Sequence, residues 1–145
     1  MNESAIPKPR PIADELSAGY WDATRAGQLA IQQCDHCGQF AHPPTPVCGS
    51  CFAVPPSFSF TPVSGVGRVS TWTVFRQTFL PGFTDDVPYV IGVVELDEQP
   101  GLTLIGRLNV DADHPVSVGD RASVTFDRLE TGEFVPAFDL VEETP

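Results

Sequence analysis

Two Cys-x-x-Cys pairs, Cys34-Asp35-His36-Cys37 and Cys48-Gly49-Ser50-Cys51, stand ten residues apart and contain every cysteine of the chain. Two thiolates separated by two residues converge on one metal from a single tight turn. A second such turn completes a closed tetrahedral site with no open position. Gly38 follows the first pair and suits a chain that must turn back at positive φ. Phe52 follows the second pair, so that turn must close by other means. Disulfides are the competing reading, but pairs at x-x spacing are better matched to chelation than to cross-linking. A rubredoxin-type iron site would use the same four ligands, so ligand chemistry leaves zinc and iron both open.

The sequences flanking the pairs describe a small β unit. Leu29 to Gln33 alternates apolar and polar residues, which predicts a strand entering the first knuckle. Phe40-Ala41-His42 leaves it, and Pro43-Pro44-Thr45-Pro46 imposes an extended link to the second. This is the layout of a zinc ribbon over residues 29–60. A unit of that size cannot own a hydrophobic core, so the metal must supply much of its folding energy.

Ahead of the ribbon, residues 1–28 read as an arm and a helix. Pro7, Pro9 and Pro11 alternate with Lys8 and Arg10, an extended arm whose docking site, on self or on a partner, is open. From Asp14 a helical pattern places Ile12, Leu16, Tyr20 and Ala23 on one face, with Gly27 as the stop. Tyr20 and Trp21 near its end either pack on the chain's own domain or offer an interface.

After the ribbon, Phe58–Val63 alternates into a Ser64-Gly65 turn, and residues 61–145 carry five further β segments. They are Val66–Phe75, Tyr89–Leu96, Leu102–Leu108, Arg121–Leu129 and Val135–Val141. Gly92 suggests a bend or bulge within the second. Gly101, Gly119-Asp120 and Thr131-Gly132 mark turns. Five strands, the first long and coiled, predict a Greek-key barrel of OB type. The expected fold is therefore mainly β: an N-terminal helix, a rubredoxin-like zinc ribbon and a five-stranded OB barrel. Fifteen prolines and twelve glycines against one methionine agree with short strands and many turns.

Charge and composition narrow the function. The net charge is −11, from 8 basic and 19 acidic residues, and a divalent tetrathiolate adds two more negative charges. Such a surface repels phosphate backbones and anionic lipids, so neither nucleic acid nor membrane is expected as a partner. A single-strand binder would need a positive groove beside its stacking aromatics. No apolar run approaches the roughly 20 residues of a membrane span. Met1-Asn2-Glu3-Ser4 lacks a basic or apolar leader, and thiolate ligands suit a reducing cytoplasm. With the cysteines committed, His36, His42 and His114 are expected in solvent or supporting roles. Gly65-Val66-Gly67 lacks the helix and Lys-Ser/Thr of a phosphate loop. Asp85-Asp86 and Asp97-Glu98 read as solvated loop acids. No nucleophile with a convergent base emerges. An iron tetrathiolate carrying electrons remains the other reading of the cysteines.

Taken in order, the Tyr20-Trp21 helix, Cys34/Cys37, Pro43-Pro44, Cys48/Cys51, Ser64-Gly65-Val66-Gly67-Arg68-Val69 and Pro88-Tyr89-Val90-Ile91-Gly92 resemble one family. It is the zinc-ribbon/OB-fold family associated with acyl-CoA enzymes, once classed only as a domain of unknown function. The resemblance runs from about Ile12 to Leu140. One departure is Thr45-Pro46 after the proline pair, where the family often has Arg. If that Arg holds a CoA phosphate in relatives, this chain meets CoA only through its partner.

The resemblance implies a non-catalytic accessory subunit with structural zinc. Such subunits accompany thiolases or thiolase-like lipid-transfer-protein aldolases that shorten steroid side chains, in complexes expected to be heterotetramers. Some family members form the C-terminal part of an acyl-CoA hydratase subunit, so a standalone and an excised copy are both compatible. Acyl-CoA would lie at the shared interface, and the catalytic residues would belong to the partner. Apolar residues placed where a monomer would not expose them are then the expected partner surface. Tyr20 and Trp21, together with Phe79, Leu80 and Phe83 in a loop bounded by polar residues, fit that description; capping of the barrel's open end is the alternative for the two Phe residues.

Overall fold

The computed structural model describes residues 6–142, so the expectations for Met1–Ser4 lie outside the described residues. Helix α1 (Ala18–Arg25) precedes β1 (Ala30–Cys34), β2 (Phe40–Ala41) and β3 (Phe58–Pro62), which form an antiparallel sheet in the order β2-β1-β3. The barrel follows, with β4 (Val66–Phe75), β5 (Tyr89–Leu96), β6 (Thr103–Leu108), β7 (Arg121–Arg128) and β8 (Phe134–Leu140). It closes in the order β4-β5-β6-β8-β7, with β7 returning to β4 and a parallel pairing of β6 with β8. A first strand shared by two neighbours and one parallel pair is the connectivity of an OB barrel.

The alternation in the strands explains the core. Val69, Val90, Val94, Leu104, Leu108, Ala122 and Phe138 point inward and are almost fully buried. The coil of the first strand comes from a bulge between Val69 and Thr71. Gly92, expected to mark a bend or bulge, instead pairs in register with Trp72 and Gly106. Its lack of a side chain makes room for Leu108, whose carbons lie 2.9 Å from where a Cβ would stand.

The helix starts four residues later than its periodicity suggests. Asp14 and Ser17 bond each other: the Ser17 amide and hydroxyl donate to Asp14 Oδ1 at 2.8 and 2.7 Å, and the Asp14 amide donates to Ser17 Oγ at 3.1 Å. These local bonds draw the segment into a turn, in competition with helix. Ile12 and Leu16 consequently fall outside the helix and are exposed, Ile12 by 84 %. The buried stripe is Tyr20 and Thr24 instead. The end is as expected. Gly27 at φ +74 closes the helix, with its amide donating to the Thr24 carbonyl and that of Gln28 to Ala23, both at 3.0 Å.

The arm docks on its own barrel. Lys8 Nζ meets Asp86 at 2.9 Å and stands 5.6 Å from the Phe83 ring centroid, while Arg10 meets Glu133 at 3.4 Å. It thus bridges the β4–β5 connection and the β7–β8 turn. Gly82 permits this approach: at φ +90, a Cβ there would lie 2.6 Å from the Lys8 amide nitrogen. Gly82→Ala should therefore release the arm and leave the barrel intact. Nitrogen-15 relaxation of the Lys8 and Arg10 amides checks this; unchanged rigidity in the variant would contradict it.

Candidate metal centre

The first knuckle grows from the end of β1. Cys34 is its last residue, the Gly38 amide donates to the Cys34 carbonyl at 2.9 Å, and Gly38 sits at φ +80. The second knuckle repeats the turn without glycine. The Phe52 amide donates to the Cys48 carbonyl at 3.1 Å, and Phe52 itself is held at φ +53. A bulky residue in the left-handed region is strained, so the second knuckle closes against a local penalty that the first avoids.

Those two turns bring all four sulfurs within 4.8 Å of one another. Cys34 and Cys51 Sγ atoms are 3.7 Å apart, and those of Cys37 and Cys48 are 3.6 Å apart. A disulfide would require about 2.05 Å, which excludes both pairings. A metal bound tetrahedrally at about 2.3 Å from each sulfur implies edges of roughly 3.8 Å. The donor set and its spacing therefore fit a closed tetrathiolate. The amides of Cys51 and Ser50 pull the Cys48 thiol down to about 6. Facing it, Cys37 is pulled down by the Gln39 amide, but desolvation and the opposing sulfurs of Cys48, Cys34 and Cys51 push it up to about 12. Thiolates this close repel one another, and a cation at their centre would let all four ionise.

Around the cluster, side chains perform work that the sequence pattern hides. Gln32 is 2 % exposed despite its place in an alternating strand. Its amide donates to the Thr45 carbonyl and accepts from the Thr45 amide, both at 2.8 Å, pinning the proline link. Asp35 accepts from Ser57 and Ser59 at 2.5 and 2.6 Å. These hydroxyl bonds hold its carboxyl below the usual range. Gln99, in the β5–β6 turn, exchanges two bonds with the Phe40 backbone, at 2.9 and 3.0 Å, and so ties ribbon to barrel. Sequence reasoning missed both glutamines, because an amide side chain that mimics a strand partner carries no periodic signal.

Two of the three histidines make contacts within the chain. His36 Nε2 donates to the Pro55 carbonyl at 3.0 Å. The His42 ring lies 5.2 Å from Tyr20, and its buried Nδ1 has no hydrogen-bond partner among the described residues. Desolvation holds the His42 pKa below its ordinary value.

The aromatic candidates separate. Tyr20, for which the sequence leaves own-domain packing and an interface both open, is 5 % exposed within the buried cluster, as own-domain packing requires. It faces the ribbon because the late helix start leaves Tyr20 and Thr24 as the inward positions. Trp21 is half-buried, edge-on to Tyr20 at 4.9 Å. Phe79 is 97 % exposed and caps nothing, and Leu80 is also exposed. Phe83 is half-buried beside Tyr89, with ring centroids 6.0 Å apart.

Two family profiles match: ChsH2, rubredoxin-like zinc ribbon domain, over residues 21–54, and ChsH2, C-terminal OB-fold domain, over 60–127. A chain of the solved Ltp2-ChsH2(DUF35) aldolase aligns with TM-score 0.79 and 27 % identity, covering 90 % of this chain and 98 % of that one. A probable enoyl-CoA hydratase alpha subunit of Thermomonospora curvata is 33 % identical over 125 residues. The 3-oxo-4,17-pregnadiene-20-carboxyl-CoA hydratase alpha subunit of Mycobacterium tuberculosis is 32 % identical over 117. These alignments span 85 % and 81 % of this chain but 36 % and 35 % of the relatives. Among the described residues no helix is long and apolar enough to cross a membrane.

Purified protein should carry one metal equivalent per chain, read by elemental analysis; under half an equivalent would contradict the tetrathiolate. Since such metals contribute about 10–16 kcal/mol, chelation or Cys37→Ser should unfold β1–β3 while barrel amides away from Gln99 and β8 keep their chemical shifts.

His42 generates a second expectation. Its folded-state pKa is lowered, so the unfolded chain takes up the proton first and stability falls as pH drops below about 6.5. His42→Phe should flatten denaturant-measured stability between about pH 7 and pH 5 relative to the parent. Equal slopes would show that His42 does not titrate in this window.

Proposed function

Because this chain belongs to the ChsH2 zinc-ribbon/OB-fold family, we propose that it is a non-catalytic accessory subunit of a thiolase-fold acyl-CoA enzyme. Its partner is an aldolase or thiolase of steroid or fatty acyl-CoA metabolism, in a heterotetramer with the acyl-CoA at the shared interface. The carrying observation is that nearly a whole chain of a solved aldolase, 98 % of it, superimposes on this one. The matching third of two hydratase alpha subunits supports an acyl-CoA setting and makes a hydratase subunit a further partner.

The side-chain inventory supports a scaffold. The four cysteines form one cluster, His36 bonds a backbone carbonyl, and His42 packs on Tyr20. The metal is read as structural zinc, since Cys₄ closure leaves no position for substrate. Iron would colour the protein red, whereas zinc leaves it colourless. The net charge of −11 argues against a nucleic-acid ligand, and thiolate ligation suits the cytoplasm.

In this reading the docking residues include exposed Phe79 and Leu80 and half-buried Trp21 and Phe83. Exposed aromatic anchors commonly contribute about 2 kcal/mol or more at interfaces. Coexpression with a thiolase-fold subunit should give a stable complex with acyl-CoA turnover that neither chain shows alone. Phe79→Ala and Trp21→Ala should each weaken it at least about tenfold, ~1.4 kcal/mol, at unchanged metal content. Normal binding by both variants would move the interface elsewhere, and turnover by the isolated chain would overturn the accessory role.

A further inference from the structure

A cavity of about 310 Å³ lies between the arm and the outer face of the barrel, lined by Lys8, Pro9, Tyr89, Ile91, Arg107 and Arg128 among others. Three of the chain's eight basic residues line this one hollow. They oppose two carboxylates, Asp127 in the lining and Asp86 beside it. The local charge is thus positive on a protein whose net charge is −11.

The cations are placed with care. Arg107 Nη2 donates to Asp86 at 2.9 Å, and its guanidinium lies 4.4 Å from the Tyr89 ring centroid. Phe75 stacks near-parallel with Tyr89 at 5.3 Å, so the guanidinium is held in plane before any ligand arrives. Lys8 shares the same Asp86 oxygen. Although desolvation opposes it, these two cations keep the Asp86 carboxyl below the usual range, so it stays ionised as their common anchor. Arg128 is exposed at the rim and has no ion-pair partner among the described residues. Opposite the charges, Ile91, Leu129, Val135 and Pro136 supply an apolar wall.

We propose that this cavity is a binding site for a small amphipathic anion, a carboxylate or phosphate monoester carried on an apolar body. The head group pairs with Arg128 and the pre-set Arg107, and the body lies on the Ile91–Pro136 wall. The volume equals roughly ten waters of liquid and falls at the small end of ligand pockets, about 300–1,000 Å³. Tyr89 is already stacked by Phe75 and by the Arg107 guanidinium, which favours an aliphatic over a base-stacked ligand.

The test is a titration of the full-length, metal-loaded protein with decanoate, decyl phosphate and neutral decanol, followed by amide shifts and calorimetry. Both anions, or one of them, should shift amides of β5, Arg107 and residues 129–135, and which binds tighter identifies the head group. Decanol should bind at least about tenfold more weakly, the measure of the charge contribution. Arg128→Glu should weaken the anion about tenfold or more, whereas Arg76→Glu, an exposed arginine outside the lining, should not. Absence of shifts up to the solubility limit, equal binding of decanol, or equal effects of the two arginine variants would each overturn the proposal.

Discussion

Four sulfurs meeting at one point hold together a sheet that could not hold itself. The ribbon sheet has three strands, one of them two residues long, and its size leaves little apolar surface to bury. A structural metal contributes about 10–16 kcal/mol, comparable with the whole stability of a small domain, about 5–15 kcal/mol. The consequences extend beyond the knuckles. β1 ends at Cys34, pairs with both other strands and carries α1 against it. Tyr20 is buried and His42 half-buried where helix and ribbon meet. A metal held by the four sulfurs would therefore fix β1, against which α1 packs, and α1 in turn touches β8 of the barrel.

The joints between these parts are made by side chains acting as backbone. Gln32 and Gln99 each offer a donor and an acceptor in the geometry of a peptide group, one to Thr45 and one to Phe40. Each satisfies two main-chain groups that a short sheet leaves unpaired, which in a buried setting removes a penalty of about 1–3 kcal/mol per group. A proline-rich link can supply few amides of its own, so borrowing an amide from a strand residue is a direct solution.

What the sequence revealed followed from strong local rules. β4 and β5 span the residues that alternation and β-branching indicate, and the cysteine spacing dictates the cluster. The misses arose where one local pattern serves several tertiary outcomes. An aromatic pair on an amphipathic helix looks the same whether it faces its own ribbon or a partner, so the sequence left both open for Tyr20, which is buried. Asp14 and Ser17 fit a helix start, but their mutual bonds make a turn. Gln32 carried no signal of its buried pairing, because alternation registers polarity, not hydrogen-bond pairing. The prolines of the arm indicated extension but not destination, which depends on Gly82, Asp86 and Glu133, more than seventy residues away.

The arm also changes what the barrel can offer. The outer sheet between the β4–β5 connection and the β7–β8 turn is the face on which OB barrels hold extended ligands. Here Lys8 and Arg10 tie a proline-stiffened segment across its two rims. Proline fixes φ and lacks an amide donor, so the segment spans the gap with little ordering entropy and claims few hydrogen bonds from the sheet beneath. A long polymer is thereby displaced, while a small, partly open hollow remains beside the crossing. Lys8 adds its charge where the barrel already presents Arg107, so the element that closes the face to an extended strand is also the one that turns the remaining cavity positive. A face that would be an open groove in a bare barrel becomes, in this chain, a partly open hollow of defined sign.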